Sequence, residues 1–169
     1  MNRSRRSLLQ AGGASAFAAA LTSVLGLALQ QAFAAEAETF EVTRSDDEWR
    51  KRLDANQYAV LRHEGTERPF SSPLNDEHRA GIFACAGCDL PLFSSRTKFD
   101  SGTGWPSFYR PLDNAVRKRE DTTLGMVRTE IHCRRCGGHL GHVFDDGPKP
   151  TGLRYCMNGV AMSFKPQRA

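Results

Sequence analysis

The sequence has little of the clustered positive charge that nucleic-acid-binding proteins carry. Its net charge is +4 at pH 7, and three of its arginines, Arg3, Arg5 and Arg6, lie at the amino terminus. The later run Arg117-Lys118-Arg119 is short and is followed at once by Glu120-Asp121. Because binding to phosphate backbones depends on clustered positive charge, this pattern argues against nucleic acid and anionic membrane surfaces as partners.

Charged residues are absent altogether between Arg6 and Glu36. A basic start, an uncharged core rich in Ala and Leu, and the small-x-small end Ala32-Phe33-Ala34 are typical of a secretory signal peptide. We therefore predict a signal peptide over residues 1–34, removed by cleavage, and a linker over residues 35–44. An uncleaved membrane anchor is the alternative, since the uncharged run could nearly span a bilayer.

The adjacent arginines Arg5 and Arg6 resemble a twin-arginine export signal, although Leu8 and Gln10 stand where that signal often has Phe and Lys. We therefore predict an exported, periplasmic protein with no stable membrane association after cleavage. Loss of the signal removes three arginines and lowers the net charge from +4 to +1. The remainder is sized for one domain, predicted over residues 45–169.

Cysteine is scarce as well, with five residues arranged as two CxxC pairs and one single thiol. The pairs are Cys85/Cys88 and Cys133/Cys136, and two such pairs supply the four thiolates of a tetrahedral zinc site. We predict one structural zinc per chain at these residues. Two disulfides are the alternative in an oxidising compartment, although a protein that folds and binds zinc before export avoids them.

The secondary-structure signals change along the chain from helix to strand. Ser45 or Asp46 can cap a short helix, and a second helical stretch is expected near residues 57–63. Short runs such as residues 81–84 and 126–132, separated by Gly, Pro, Ser and Asp clusters, predict strands in the rest of the chain. The expected fold is therefore mainly antiparallel β with short helices at the front.

The fifth cysteine, Cys156, lies in a run that we predict to be extended. Period-two geometry would put Arg154, Cys156 and Asn158 on one face of that strand. Tyr155 and Met157 would then point to the other face. A nearby guanidinium lowers the pKa of a thiol and favours the thiolate, as a nucleophile requires. The alternative is a small core residue, as free cysteines often are.

Two other segments carry candidate site residues. His139 and His142 lie three apart, with Gly141 between them, and can donate protons near neutral pH. Trp105, held in a loop by glycines and a proline, can form the floor of an apolar pocket. The alternatives are zinc-binding or surface histidines and a tryptophan packed in the core.

The chain carries, in this order, the motifs CxxC, DSGTGWPSF, CxxC, GHLGHVF and GPKPTGLRYCMN. These motifs resemble those of methionine sulfoxide reductase type B, a family that acts on the R epimer at sulfur. The resemblance covers about residues 45–164. It implies a fold of two antiparallel β-sheets with short N-terminal helices. It also implies a structural zinc, bound by Cys85, Cys88, Cys133 and Cys136.

The resemblance further implies an oxidoreductase that repairs oxidised proteins or reduces free methionine sulfoxide. Cys156 would attack the sulfoxide sulfur, release methionine and be left as a sulfenic acid. The residues expected to polarise and protonate the sulfoxide oxygen are His139, His142 and Asn158. The residues expected to bind the substrate are Trp105, Phe144 and Arg154.

One position departs from the pattern of the family. Many members carry a resolving cysteine in the GxGWPSF loop, where this chain has Thr103. With the other four cysteines assigned to zinc, no internal thiol is left to reduce the sulfenic acid. We therefore expect recycling by an external reductant, either a small thiol or a thioredoxin-like protein.

Two other classes of protein share the paired cysteines. A zinc ribbon would bind nucleic acid, which the near-neutral charge disfavours. A disulfide oxidoreductase would use CxxC as a redox dithiol, but no βαβ pattern surrounds either pair.

Overall fold

The computed structural model describes residues 38–168, so the signal predicted over residues 1–34 lies outside the described part. The described part begins with two helices, α1 at Asp46–Arg52 and α2 at Ala55–His63. No helix of the described residues is long and apolar enough to cross a membrane. Both helices had been predicted, and α2 begins two residues earlier than expected because Asp54 caps it.

Each helix begins with a capping box. The Ser45 side chain accepts a hydrogen bond from the Glu48 backbone amide, and the Glu48 carboxylate accepts one from the Ser45 amide in return. Asp54 and Gln57 repeat this arrangement at the start of α2. These bonds satisfy amides that the first turn leaves unpaired, so the helices start at residues that can cap them.

Nine short strands follow in the described part of the chain. In order they are β1 Gly81–Cys85, β2 Pro91–Ser94, β3 Lys98–Phe99, β4 Ser107–Phe108, β5 Val116–Asp121, β6 Arg128–Cys133, β7 His139–Phe144, β8 Arg154–Met157 and β9 Met162–Pro166. They form a three-stranded sheet in the order β2-β1-β9 and a six-stranded sheet in the order β3-β4-β8-β7-β6-β5. All pairs are antiparallel, which confirms the predicted fold class.

An aromatic cluster joins the two sheets. Phe93 of the smaller sheet stacks on Phe108 of the larger one, with ring centroids 4.4 Å apart. Phe83 meets Phe108 edge-on at 4.9 Å. Tyr155 and Met157 of β8 are buried on this side. The face of β8 that carries Cys156 therefore points away from the core, as the alternation of the sequence predicts.

The strand predicted over residues 126–132 begins later than expected, at Arg128. A single 3₁₀ turn at Thr123–Gly125 connects β5 to β6, and the Met126 amide closes it with a bond to the Thr123 carbonyl. Met126 and Val127 are consequently exposed in the connection and do not pair in the sheet.

Candidate active site and metal centre

The four cysteines of the CxxC pairs meet between the two sheets. Cys85 ends β1 and Cys133 ends β6, while Cys88 and Cys136 lie in the turns that follow. In each turn, the residue after the second cysteine donates its amide to the carbonyl of the first, at 2.8 Å and 2.9 Å. The two halves of the cluster thus have matching backbone geometry and come from different sheets.

The sulfur atoms of the cluster have the spacing of a zinc site. All four lie within 4.8 Å of one another, and two of the pairs are 3.7 Å and 3.5 Å apart. Zinc–sulfur bonds of about 2.3 Å would put the corners of a tetrahedron about 3.8 Å apart. All four cysteines are free thiols, and their separations far exceed a disulfide bond of about 2 Å. The predicted zinc cluster is therefore confirmed over the disulfide alternative.

A cleft of about 160 Å³ opens on the face of the six-stranded sheet that carries Cys156. Its lining residues are Thr66, Trp105, Arg128, Gly141, His142, Phe144, Cys156 and Asn158. Five of the seven predicted site residues are among them. His139 and Arg154 are the two that do not line it.

Strand register assembles the centre of this cleft. A single row of directly opposed residues crosses five strands, and it runs through Ser107, Cys156, His142, Glu130 and Arg119. Directly opposed residues of antiparallel strands share one face of the sheet. The thiol and an imidazole therefore come together through backbone pairing.

A β-bulge brings the two predicted histidines to the same side. Residues three apart in a regular strand point to opposite faces, but the β6–β7 register shifts between Ile131 and His132 and leaves Leu140 as the extra residue. The rings of His139 and His142 consequently lie 5.4 Å apart. Gly141 permits the close approach of β8 to β7, because a Cβ there would lie 2.1 Å from the Cys156 carbonyl oxygen.

The two histidines differ in position and in partner. His142 lines the cleft, and its Nε2 lies 2.7 Å from the Asp121 carboxylate. Burial lowers the pKa of His142, the Asp121 hydrogen bond partly raises it again, and the charge of Arg128 lowers it further. His139 is buried behind it, with Nδ1 2.8 Å from Glu130.

Glu130 is a buried carboxylate with partners of opposite charge. Arg119 lies 2.7 Å from it, and His139 binds its other oxygen. Burial raises the pKa of Glu130, but the His139 hydrogen bond and the nearby positive charges hold it below its usual value. Glu130 thereby fixes the orientation of the His139 ring.

Cys156 itself is partly buried, and its thiol is 3.8 Å from the Thr103 hydroxyl. Burial raises its pKa, and Thr103, Arg154 and Ser107 offset only part of that increase. Arg154 binds Asp146 through two nitrogen atoms, both at 2.8 Å, so its charge is largely compensated. The predicted effect of Arg154 on the thiol is present, but burial outweighs it.

Glu67, which the sequence analysis missed, connects several walls of the cleft. Its backbone amide donates to Asn158 Oδ1 at 2.9 Å, and its carbonyl accepts from Trp105 Nε1 at 3.2 Å. Its carboxylate accepts from the backbone amides of Gly159 and Val160. Asn158 is fully engaged as well, since its Nδ2 donates to the carbonyl of the bulge residue Leu140 at 3.1 Å.

Arg128 and Asp121 were also missed as site residues. Arg128 lines the cleft and lies 2.6 Å from the Asp121 carboxylate, which also binds His142. In the sequence, Asp121 stands out only as a charge that offsets the preceding basic run. Neither residue lies in a motif that marks it, because their contacts depend on how β5, β6 and β7 pair.

Comparison with known proteins agrees with this geometry. A model of the SelR domain family matches residues 53–166. Proteins named peptide methionine sulfoxide reductase MsrB from Pseudomonas putida and Agrobacterium fabrum are each 57% identical to this chain, over 128 and 127 residues. The alignments cover 75% of this chain and 96% and 94% of those proteins. A protein of the same name from Thiobacillus denitrificans is 58% identical over 125 residues, 73% of this chain and 95% of its own.

These matches define a SelR-domain protein. The chain belongs to the MsrB family, as its ordered motifs had indicated.

Replacing Cys133 by Ser tests the role of the metal centre. The variant keeps three thiolates, so we expect the zinc content to fall from about one ion per chain and the free energy of unfolding to drop by several kcal/mol. Elemental analysis and thermal unfolding measure both. Cys156→Ser is the matched control, because it removes a thiol outside the cluster and should keep the metal. This prediction would be contradicted if the wild-type protein had the same melting temperature with and without its metal.

Proposed function

We propose that the protein reduces the R-sulfoxide of methionine, free or within proteins, to methionine, with Cys156 as the nucleophile. The observation that carries the proposal is the pairing of Cys156 with His142 across β8 and β7 in a cleft of about 160 Å³. The name of its relatives, peptide methionine sulfoxide reductase, supports the same substrate class.

The reaction needs a nucleophile at sulfur and a proton at oxygen. Burial raises the pKa of Cys156 and lowers that of His142, so the resting pair favours thiol and neutral imidazole. With substrate bound, His142 accepts the thiol proton and passes it to the sulfoxide oxygen, while Asp121 stabilises the imidazolium. The Cys156 sulfur bonds to the sulfoxide sulfur. Transfer of the oxygen then leaves a thioether and a Cys156 sulfenic acid.

The remaining predicted residues take supporting roles in this proposal. Trp105 and Phe144 supply apolar walls for the methyl and methylene groups of the substrate. Arg154 stacks against Phe144, with its guanidinium carbon 4.5 Å from the ring centroid. Asn158 and His139 hold the cleft in shape, since both are buried and bound to neighbouring groups.

Recycling is proposed to use an external thiol, either a small thiol or a thioredoxin-like protein. Thr103 stands nearest the nucleophile in the loop where many family members have a cysteine, and its hydroxyl cannot form a disulfide. The other four thiols face one another in the metal centre. Two external thiols would return the sulfenic acid to Cys156 thiol, with one disulfide and one water as products.

We also propose that residues 1–34 form a twin-arginine-like signal peptide and that the protein works in the periplasm. The support is the sequence alone: paired arginines, an uncharged core and a small-x-small end. Amino-terminal sequencing of the exported protein tests this, because cleavage after Ala34 leaves Ala35 first. An exported chain that still begins at Met1 would show that the segment is not removed.

The first prediction on the reaction concerns Cys156→Ser. A serine hydroxyl is a far weaker nucleophile at neutral pH, so turnover of methionine R-sulfoxide with dithiothreitol should be abolished. The wild-type protein should reduce the R epimer and leave the S epimer untouched. Circular dichroism and zinc content should be unchanged in the variant. Substantial remaining turnover would mean that another residue is the nucleophile.

A second prediction concerns Asp121→Asn. The Asp121 hydrogen bond raises the pKa of His142, so its loss should lower that pKa further and disfavour the imidazolium that protonates the substrate. Single-turnover rates should fall by at most about tenfold for each unit by which the pKa drops, because a weaker base is also a stronger conjugate acid. Because His142 then deprotonates at lower pH, the acidic limb of the rate profile should move to lower pH.

Asp145→Asn is the matched control for this experiment. It removes the same charge from an exposed residue that is not among the groups acting on the pKa of His142. An identical profile in Asp121→Asn and Asp145→Asn would rule out the proposed role of Asp121.

A third prediction concerns Thr103→Cys. The Thr103 hydroxyl lies 3.8 Å from the Cys156 sulfur, so a thiol at this position should form a disulfide with Cys156 after one turnover and make recycling by thioredoxin more efficient. Peptide mapping after stoichiometric oxidation measures this. Thr103→Ser is the matched control, in which a dimedone-type reagent should trap the sulfenic acid as in the wild type. Failure of Thr103→Cys to form the bond would mean that the loop does not approach the nucleophile in solution.

A further inference from the structure

Met126 differs from the other methionines of the described residues in its exposure. Its side chain is 55% exposed, whereas Met157 and Met162 are 0% and 5% exposed in the core. Oxidants convert accessible methionine to its sulfoxide, and burial protects a thioether from them. Met126 is therefore the preferred oxidation site among these three.

The backbone around Met126 is held loosely. The hydrogen bond from its backbone amide to the Thr123 carbonyl is long, at 3.4 Å, and the neighbouring residue Val127 is 75% exposed. Gly125 has a φ of +70°, with nothing within 4 Å of the position a Cβ would take. Segments with few contacts open locally at low free-energy cost. This connection can therefore present the side chain of Met126 to another molecule.

Both ends of the connection are anchored beside the catalytic cleft. Asp121 at the end of β5 binds Arg128 at the start of β6, with a separation of 2.6 Å, and also binds His142. This clamp fixes both ends of the connection to their own sheet, and Met126 is not among the residues that line its own cleft. The cleft of a second copy is the site that its exposed side chain can enter.

We propose that Met126 is an oxidation site and that its R-sulfoxide is a substrate for Cys156 of a second copy of this protein, which rests on the function proposed above. A peroxide transfers one oxygen atom to the Met126 thioether and leaves as water or alcohol. Cys156 of the second copy takes up that oxygen as a sulfenic acid and restores the thioether. Two external thiols then reduce the sulfenic acid and yield one disulfide and one water.

The position of Met126 gives this repair a consequence for the enzyme. Met126 shares the wall of a neighbouring cavity of about 720 Å³ with Arg128 and Phe144, which also line the catalytic cleft. A sulfoxide replaces an apolar, flexible side chain by a polar one. Oxidation of Met126 therefore changes the surface beside the substrate site, and its reversal restores that surface.

The experiment separates substrate from catalyst. Full-length Cys156→Ser protein is treated with hydrogen peroxide, freed of oxidant and used as the substrate, because it carries Met126 but cannot reduce it. Met126→Leu protein is the catalyst, because it keeps Cys156 but has no Met126. The two are mixed with dithiothreitol, and peptide mass spectrometry follows the Met126 sulfoxide, with the peptides of Met157 and Met162 as internal references.

We expect peroxide to oxidise Met126 before the two buried methionines. The catalyst should then remove roughly half of the Met126 sulfoxide, because it acts on one of two epimers. The rate should rise in proportion to the catalyst concentration, and a catalyst that also carries Cys156→Ser should remove none.

Four results would overturn the inference. One is oxidation of Met126 no faster than that of Met157 and Met162, and another is equal removal of the sulfoxide by the double variant. Complete persistence of the sulfoxide, while the same catalyst reduces free methionine R-sulfoxide, would also reject self-repair and leave the proposed function intact. Failure on free R-sulfoxide as well would reject the proposed function and this inference together.

Discussion

The four-cysteine metal centre is the constraint on which the positions of the other elements depend. It joins the end of β1 in one sheet to the end of β6 in the other. The first turn of the cluster also bonds directly to the segment after β8, where the Ala86 amide donates to the Ala161 carbonyl at 2.9 Å. The second turn leads through Gly138 into His139 and β7. A metal bound here would therefore hold both strands whose pairing creates the cleft, although none of its four cysteines lines that cleft.

Strand pairing then places the candidate reactive groups side by side on this framework. The row from Ser107 to Arg119 sets a thiol, an imidazole and a carboxylate in adjacent strands, where backbone hydrogen bonds fix their order. The bulge at Leu140 adds a second histidine to the same side. The Leu140 carbonyl accepts hydrogen bonds from both the side-chain amide and the backbone amide of Asn158. A loop cannot hold groups this firmly, because its backbone lacks such a ladder. The loops instead supply the walls, and Glu67 ties those walls to the end of β8.

Sequence patterns predicted the parts of this arrangement that are local. A capping residue at position 45 or 46 indicated the first helix, the CxxC spacing indicated the metal centre, and alternation assigned the two faces of β8. The contacts that were missed join distant positions: Asp121 and His142 are 21 residues apart, and Glu67 and Gly159 are 92 apart. Such contacts follow from sheet register and loop closure, which single-chain periodicity does not specify. The net effect on the Cys156 thiol was missed for a related reason, since burial depends on the assembled cleft.

The balance of charges around the cleft favours a protonated thiol at Cys156. Arg154 is compensated by Asp146, Arg128 by Asp121, and Arg119 by Glu130. Little uncompensated positive charge is therefore left to stabilise a thiolate, and burial keeps the pKa of Cys156 above its ordinary value. A neutral thiol reacts slowly with peroxides, because the thiolate is the reactive form. In the mechanism proposed above, reactivity is therefore coupled to substrate binding, because the sulfoxide oxygen is the acceptor for the thiol proton that His142 transfers.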